Sequence, residues 1–202
     1  MKLFVSPTSP YVRKVLIAAI ELGLADKLQL VTVNTLPTKQ DPVIIAINPL
    51  GKIPALQIDD GTVLYDSRVI LEYLNTVGKG TLIPTGGNAH WRALRLQALS
   101  DGLLDAAVAA RYETALRPAP LQWQQWVDAQ TGKIVAALDA LQREALYESG
   151  ITVAEISAYA ALDYLDFRFD HLDWRSGRTA LADFFEAFSK RKSVQSLPTR
   201  AA

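Results

Sequence analysis

The sequence predicts a protein in two parts, an α/β domain followed by an all-α helical bundle domain. Three observations carry this. Up to residue 77, short β-rich runs alternate with helical patterns. Residues 78–87 hold four glycines and one proline, the composition of a linker. Beyond them the chain is rich in Ala and Leu and helical in period. The expected domains are therefore 1–77 and 88–202, joined by the linker 78–87.

The elements follow in order. Residues 2–5, KLFV, read as a short strand. In residues 11–23, Val12, Val15, Leu16, Ala19 and Ile20 share one helical face, and Gly23 stops the helix. Residues 28–33 alternate like a strand, and 41–47 predict a helix weakened by β-branched residues. Asn48-Pro49 and Gly51-Lys52 mark a turn. Residues 55–58 form a strand, Asp59-Asp60-Gly61 a hairpin turn, and 62–64 the returning strand. A helix over 67–77 shows Val69, Ile70, Tyr73, Leu74 and Val77 on one face. The order β-α-β-α-β-β-α predicts a mixed four-stranded sheet, with the first three strands parallel and the last pair antiparallel. Past the linker, helices are expected at 88–116 and 119–145, parted by Pro118 and Pro120. Thr152 and Glu155 form a capping box for a third helix at 153–168, and a fourth lies near 178–190.

Composition excludes several functions. Lys plus Arg and Asp plus Glu both number 21, which is not the charge profile of a nucleic-acid binder and argues weakly against binding an anionic membrane. Half of the 202 residues are hydrophobic, enough for a core without a disulfide or structural metal. There is no cysteine, and His90 and His171 are the only histidines, which removes zinc clusters and CxxC redox motifs. Pro7, Pro10 and Arg13 interrupt any signal-peptide core, and the longest apolar runs, such as 15–20, are too short to span a bilayer. A cytoplasmic location is expected.

Three stretches carry the chemistry, "SPTSPYVRKV", "NPLGKIPAL" and "LYDSRVILEYL", and a later one, "ITVAEISAYAALDYLDFRF", accompanies them. In this order and spacing the first three resemble the thioredoxin-like N-terminal domain of glutathione S-transferases. The fourth resembles the capped helix of that family's helical domain. Each motif alone is weak; the ordered set is specific and covers nearly the whole chain. The chain is similar to bacterial members with a Ser-Pro-Phe/Tyr motif. The resemblance implies glutathione as co-substrate, a small hydrophobic electrophile, no metal, a homodimer and a role in detoxification.

The resemblance also implies roles for particular residues. Pro54 would be cis, and Ile53, beside Lys52, would offer its backbone N–H and C=O to the cysteinyl part of glutathione. Ser67, with a backbone N–H at a helix N-terminus and Asp66 before it, would hold the γ-glutamyl carboxylate. A helix N-terminus suits an anion on its own physics, although either residue could equally be an ordinary N-cap.

Glutathione brings the thiol, so the protein needs none. The free thiol has a pKa of about 8.5, and the thiolate is the nucleophile. Lowering it by two units requires about 2.7 kcal/mol. A charge-assisted hydrogen bond of about 1.5–3 kcal/mol, aided by a helix dipole, is of that size. Ser9, immediately before Pro10, matches the key position of omega-type relatives. Thr8 matches the serine of theta- and delta-type relatives, and Ser6 is a third candidate. Ser9 also reads as a plain N-cap with proline at the next position. With no cysteine, a mixed disulfide with the protein is ruled out, which leaves addition, displacement, isomerisation or peroxide reduction by the glutathione thiolate.

For the electrophile site the resemblance points to Tyr11, Arg111 and Tyr112. Asp101 and Asp105, four apart, share a helix face as a possible carboxylate pair, or are solvated or bonded to arginine. Arg13 and Lys14 are expected in structural pairs ahead of a solvated position, and Trp123 and Trp126, three apart, in the core, with an aromatic patch as the alternative. Asp163, Asp166, Arg168 and Asp170 are expected in a buried or interdomain charge network, and the resemblance implies a folding role for this helix. Three readings compete: a glutathione transferase, a glutathione-dependent isomerase or dehalogenase, and a non-catalytic glutathione-binding or regulatory module. The zeta-type Ser-Ser-Cys run is absent, which weighs against the isomerase.

Overall fold

The computed structural model describes residues 1–146, 150–198 and 200. It divides into two units, Met1–Ile83 together with the described residues from Arg191 on, and Pro84–Lys190.

The first unit is built on a four-stranded sheet in the order β2-β1-β3-β4. Its strands are β1 (Lys2–Val5), β2 (Gln29–Thr32), β3 (Ala55–Gln57) and β4 (Val63–Leu64). Successive side chains of a strand point to opposite faces, and β1 uses both. Leu3 and Val5 pack with Val12, Val15 and Ala19 of α1 (Pro10–Glu21) and Ile70 and Leu74 of α3 (Ser67–Val77). Phe4 turns the other way and packs with Val33, Ala55 and Ile44 of α2 (Pro42–Ile45).

The mixed sheet matches expectation, but one direction does not. β1 and β2 are parallel, while β3 runs antiparallel to β1, with Phe4 opposite Ala55, and β4 antiparallel to β3. A long connection excludes a hairpin but permits either direction, so connection length alone misassigns β3.

α1 starts at the Ser9 cap with Pro10 in its first turn and ends in a Schellman pair, Leu24 N–H to Ala19 C=O at 2.8 Å and Gly23 N–H to Ile20 C=O at 3.0 Å. Its buried surface is wider than the expected stripe: Lys14, Ile17 and Ala18 are buried too, while Leu16 and Ile20 are only half-buried. In α3 the buried side chains include Ile70, Leu71 and Leu74, whereas Val69 and Val77 are exposed against expectation. The glycines after α3 do more than loosen a linker. A Cβ on Gly80 would run into the Leu22 side chain, and Asn75 ties the segment down by accepting from Gly80 N–H and Leu82 N–H. The units divide at Ile83 and Pro84, inside the stretch expected to be a linker.

The second unit holds α4 (Gly87–Ala115), α5 (Gln124–Gln142), α6 (Val153–Arg168) and α7 (Thr179–Ser189). α4 packs against both α5 and α6. α6 is buried on nearly every side, so it shows little of the one-sided pattern of a surface helix. Its Tyr159 stacks on Phe185 and Phe188 of α7. The helix expected at 119–145 is shorter: a 3-10 turn occupies Ala119–Leu121, and α5 begins at Gln124. Trp123 and Trp126 are therefore not core residues but are 59% and 41% exposed, because they sit at the first turn of α5. The tryptophan of this unit's core is Trp174, at 1% exposure.

The acidic network of α6 centres on Asp166, which accepts from Trp174 Nε1 at 2.7 Å and from both terminal nitrogens of Arg175 at 2.7 and 2.6 Å. Asp170 stands outside it, exposed beside His171. The chain's end departs from the expected helical domain. Arg191 and the short α8 (Lys192–Gln195) group with the first unit, where α8 packs on α1; residues 199 and 201–202 lie outside the described residues.

Candidate functional site

Strand register brings three segments to one end of the sheet. β1 ends at Val5 and leads into Ser6. Because β3 is antiparallel to β1, with Phe4 opposite Ala55, Pro54 lies across from that end of β1. β4 in turn opposes β3, with Leu56 opposite Leu64, so Tyr65, Asp66 and the start of α3 reach the same end. The segments 6–9, 51–54 and 65–67 are thus neighbours although far apart in sequence.

At the first segment Ser9 caps α1, its Oγ accepting from Val12 N–H at 3.3 Å, while its own N–H donates to Ser6 C=O at 3.1 Å. The cap uses a lone pair of the hydroxyl, not its proton. Among the described residues, this is the only hydrogen bond at Ser9 Oγ, so the O–H can still donate. Thr8 differs: its Oγ1 shares a 3.3 Å hydrogen bond with Ser6 Oγ. The capping role and a donor role for Ser9 are compatible.

At the second segment the Ile53–Pro54 peptide bond is cis. The loop before it is held by side chains that sequence reasoning missed. Asn48, 1% exposed, donates from Nδ2 to Lys52 C=O at 2.8 Å and accepts Leu50 N–H at 3.1 Å. Thr35 Oγ1 donates to Gly51 C=O at 3.0 Å. Asp41 caps α2 through Val43 N–H and also accepts Asn34 N–H. Gly51 has φ +61°, a backbone conformation that favours glycine. The Asn-Pro dipeptide signals the turn, but nothing local signals that the asparagine is buried and braces the loop.

At the third segment Asp66 N-caps α3, accepting Arg68 N–H at 2.9 Å, and its other oxygen meets Arg68 Nη2 at 3.2 Å. The Tyr65–Asp66 bond is also cis. Partial burial works to raise the Asp66 pKa, but the Arg68 N–H and guanidinium, with the charge of Lys14, outweigh it and hold the carboxyl below the usual range. Ser67, at the first helical position, is buried at 3% exposure. Lys14 is fully buried, and Arg13 is half-buried, with Nη1 3.5 Å from Pro198 C=O. Tyr11 is half-buried at the start of α1.

The candidates of the helical unit all lie on α4. Arg111 is half-buried, and Tyr112 is 36% exposed, with burial pushing its phenol pKa up. Asp101 is buried and Asp105 exposed, so the two carboxylates do not share an environment. Among the described residues, no group of three or more His, Asp or Glu side chains could hold a metal ion, and no helix is long and apolar enough to cross a membrane.

Comparison with known proteins identifies the family. Residues 8–77 match the family model of the glutathione S-transferase N-terminal domain, and residues 124–187 that of the glutathione S-transferase C-terminal domain. The chain is 32% identical to the uncharacterized GST-like protein YibF of Escherichia coli, covering 100% of both chains. It is 45% identical, with a TM-score of 0.96 over 99% of each chain, to a glutathione transferase family member of Pseudomonas fluorescens Pf-5 crystallised with bound glutathione. A second crystal structure of a Pf-5 family member, with bound S-(propanoic acid)-glutathione, is 45% identical at a TM-score of 0.90, over 100% of this chain and 99% of that one. This chain belongs to the glutathione S-transferase family.

Proposed function

We propose that the chain is a glutathione transferase that binds glutathione at the sheet end formed by segments 6–9, 51–54 and 65–67 and uses it, as thiolate, against a small hydrophobic electrophile. The observation that carries this is Ser9. It sits at the N-terminus of a helix and caps that helix through its oxygen, a bond that does not use the hydroxyl proton.

In this reading the Ser9 O–H donates to the glutathione sulfur, and the positive end of the α1 dipole adds to the effect. The thiolate is favoured because the donated proton and the dipole both interact more strongly with S⁻ than with S–H. Ile53 presents its backbone N–H and C=O to the cysteinyl part, with Lys52 beside it and Pro54 fixing the direction of the chain. Ser67 and the N–H groups at the start of α3 take the γ-glutamyl carboxylate. The Asp66 carboxylate, kept ionised, faces the positively charged end of the same γ-glutamyl group. Thr8 is the alternative donor, already engaged with Ser6. Tyr11, Arg111 and Tyr112 remain the candidates for contacts with the electrophile. A relative that holds S-(propanoic acid)-glutathione supports chemistry at sulfur.

The test is the ultraviolet thiolate absorbance of bound glutathione as a function of pH. The chain has no cysteine, so any thiolate signal belongs to the ligand. A bound thiol pKa near or below neutrality is expected, together with turnover on a panel of electrophiles. A pKa near the free value despite saturable binding would instead make the protein a glutathione-binding module. Absence of binding would overturn the proposal.

A further inference from the structure

We infer that residues 191–198 form a strap that positions α1, and through it Ser9. This rests on the reading of Ser9 as the sulfur donor. The strap closes a long way round the chain. Arg191 donates to Glu21 through Nε at 2.8 Å and Nη2 at 3.0 Å, a forked pair across 170 residues. Ser193 Oγ donates to the same carboxylate.

This is not a solvated surface pair. The side chains of Arg191 and Glu21 are 28% and 16% exposed, and Ser193 is 3% exposed. The Arg191 hydrogen bonds hold the Glu21 carboxyl below its usual pKa, against the opposing effect of burial. Val194 is buried where α8 packs on α1.

The strap follows the helix. It begins at Glu21, the last residue of α1, and reaches the first turn, where Arg13 Nη1 approaches Pro198 C=O at 3.5 Å. The last turn of α1 contains no basic residue. A cation near a helix C-terminus is favourable, and Arg191 supplies one from the far end of the sequence.

Leverage connects the strap to chemistry. A helix of 12 residues is about 18 Å long. Tilting it by about 3° at the Glu21 end moves the Ser9 end by about 1 Å, and a displacement of that size can cost about a hundredfold in rate. Arg191 and Glu21 touch no substrate in this proposal. They are positioning residues.

The experiment compares Arg191→Met, Glu21→Gln, the double variant and the milder Ser193→Ala. Two readouts separate a positioning role from a mere staple: the pKa of the bound thiol, and amide hydrogen exchange in residues 10–21 relative to 67–77. We expect Arg191→Met to quicken exchange selectively in α1 and to raise the bound thiol pKa by about one unit, which lowers turnover about tenfold below that pKa. Glu21→Gln should do the same, and the double variant should add little, because both remove one interaction. Arg191→Lys, which keeps charge but loses the fork, should recover part of the effect, and Ser193→Ala should show a smaller change of the same sign. Unchanged exchange in α1, or a lowered melting temperature with unaltered thiol pKa and turnover, would overturn the strap. If the unmodified protein fails to lower the thiol pKa, the Ser9 reading falls, and the exchange data still judge the strap.

Discussion

The helices α1 and α6 both begin at a capping hydroxyl, and the two caps are used in opposite ways. At α6 the cap is closed. Thr152 Oγ1 accepts Ala154 N–H at 3.1 Å and gives its own proton to Glu155 Oε2 at 2.6 Å, and that oxygen also takes Thr152 N–H at 2.8 Å. Glu155 is 1% exposed. At α1 the cap is open: Ser9 accepts Val12 N–H, and the first turn holds no acid to take its proton. A cap closed on its own neighbours serves folding. An open cap leaves a donor at the positive end of a helix dipole, where it can serve an anion.

The sharpest way to break this comparison is Ser9→Ala. It should return the bound thiol pKa upward by about two units and cut turnover about a hundredfold at pH values below it. The accompanying loss of stability, read by urea denaturation, should be only about 1 kcal/mol. Thr8→Ala should leave the thiol pKa nearly in place; the reverse pattern would move the sulfur donor to Thr8.

Next comes the loop opposite the open cap. Asn48→Ala leaves the Lys52 carbonyl and the Leu50 N–H without their partner and should cost about 1–3 kcal/mol of stability. Calorimetry should show weaker glutathione binding as well, because this loop presents Ile53.

At the closed cap, Thr152→Ala should cost about 0.5–2 kcal/mol in urea denaturation and leave turnover and thiol pKa unchanged. A change in thiol pKa there would show that the two caps do not divide folding from chemistry as described.

The smallest effect concerns Asp66, the polar cap of α3. Its folded pKa is lowered, so its contribution to stability is complete above the unfolded value of about 3.9 and is lost as pH falls through the lower folded value. Asparagine also caps well but does not titrate. The stability difference between the unmodified protein and Asp66→Asn, followed by thermal melts, should therefore shrink as pH drops below about 4. A difference independent of pH would mean that the carboxylate charge contributes nothing to this cap.

Much of this was legible because it is local. Ser9 before Pro10 and Thr152 three residues before Glu155 are cap signals whose partners lie within one turn, and both caps form. The central elements of the sheet and the main helices were likewise written in short-period patterns. The misreadings share a different origin. β3 runs opposite to expectation because connection length limits direction without choosing it. Trp123 and Trp126 are exposed and Trp174 is buried because a tryptophan's burial depends on what its element packs against, not on its own apolar area. Asn48 looks like any turn asparagine until the loop around it is seen to be built on its side chain.

By itself, then, the sequence determined the segments and their ends: where strands and helices start, which hydroxyls stand at helix N-termini, and that no protein thiol takes part. Only the tertiary structure decided which ends meet. The gathering of segments 6–9, 51–54 and 65–67 depends on strand register, the burial of Lys14 on how α1 is packed, and the Arg191–Glu21 pair on a return of the chain across 170 residues. The physical reason is range. Propensity and capping act over three or four residues, whereas register, burial and distant ion pairs depend on surfaces that face each other only after the chain has folded.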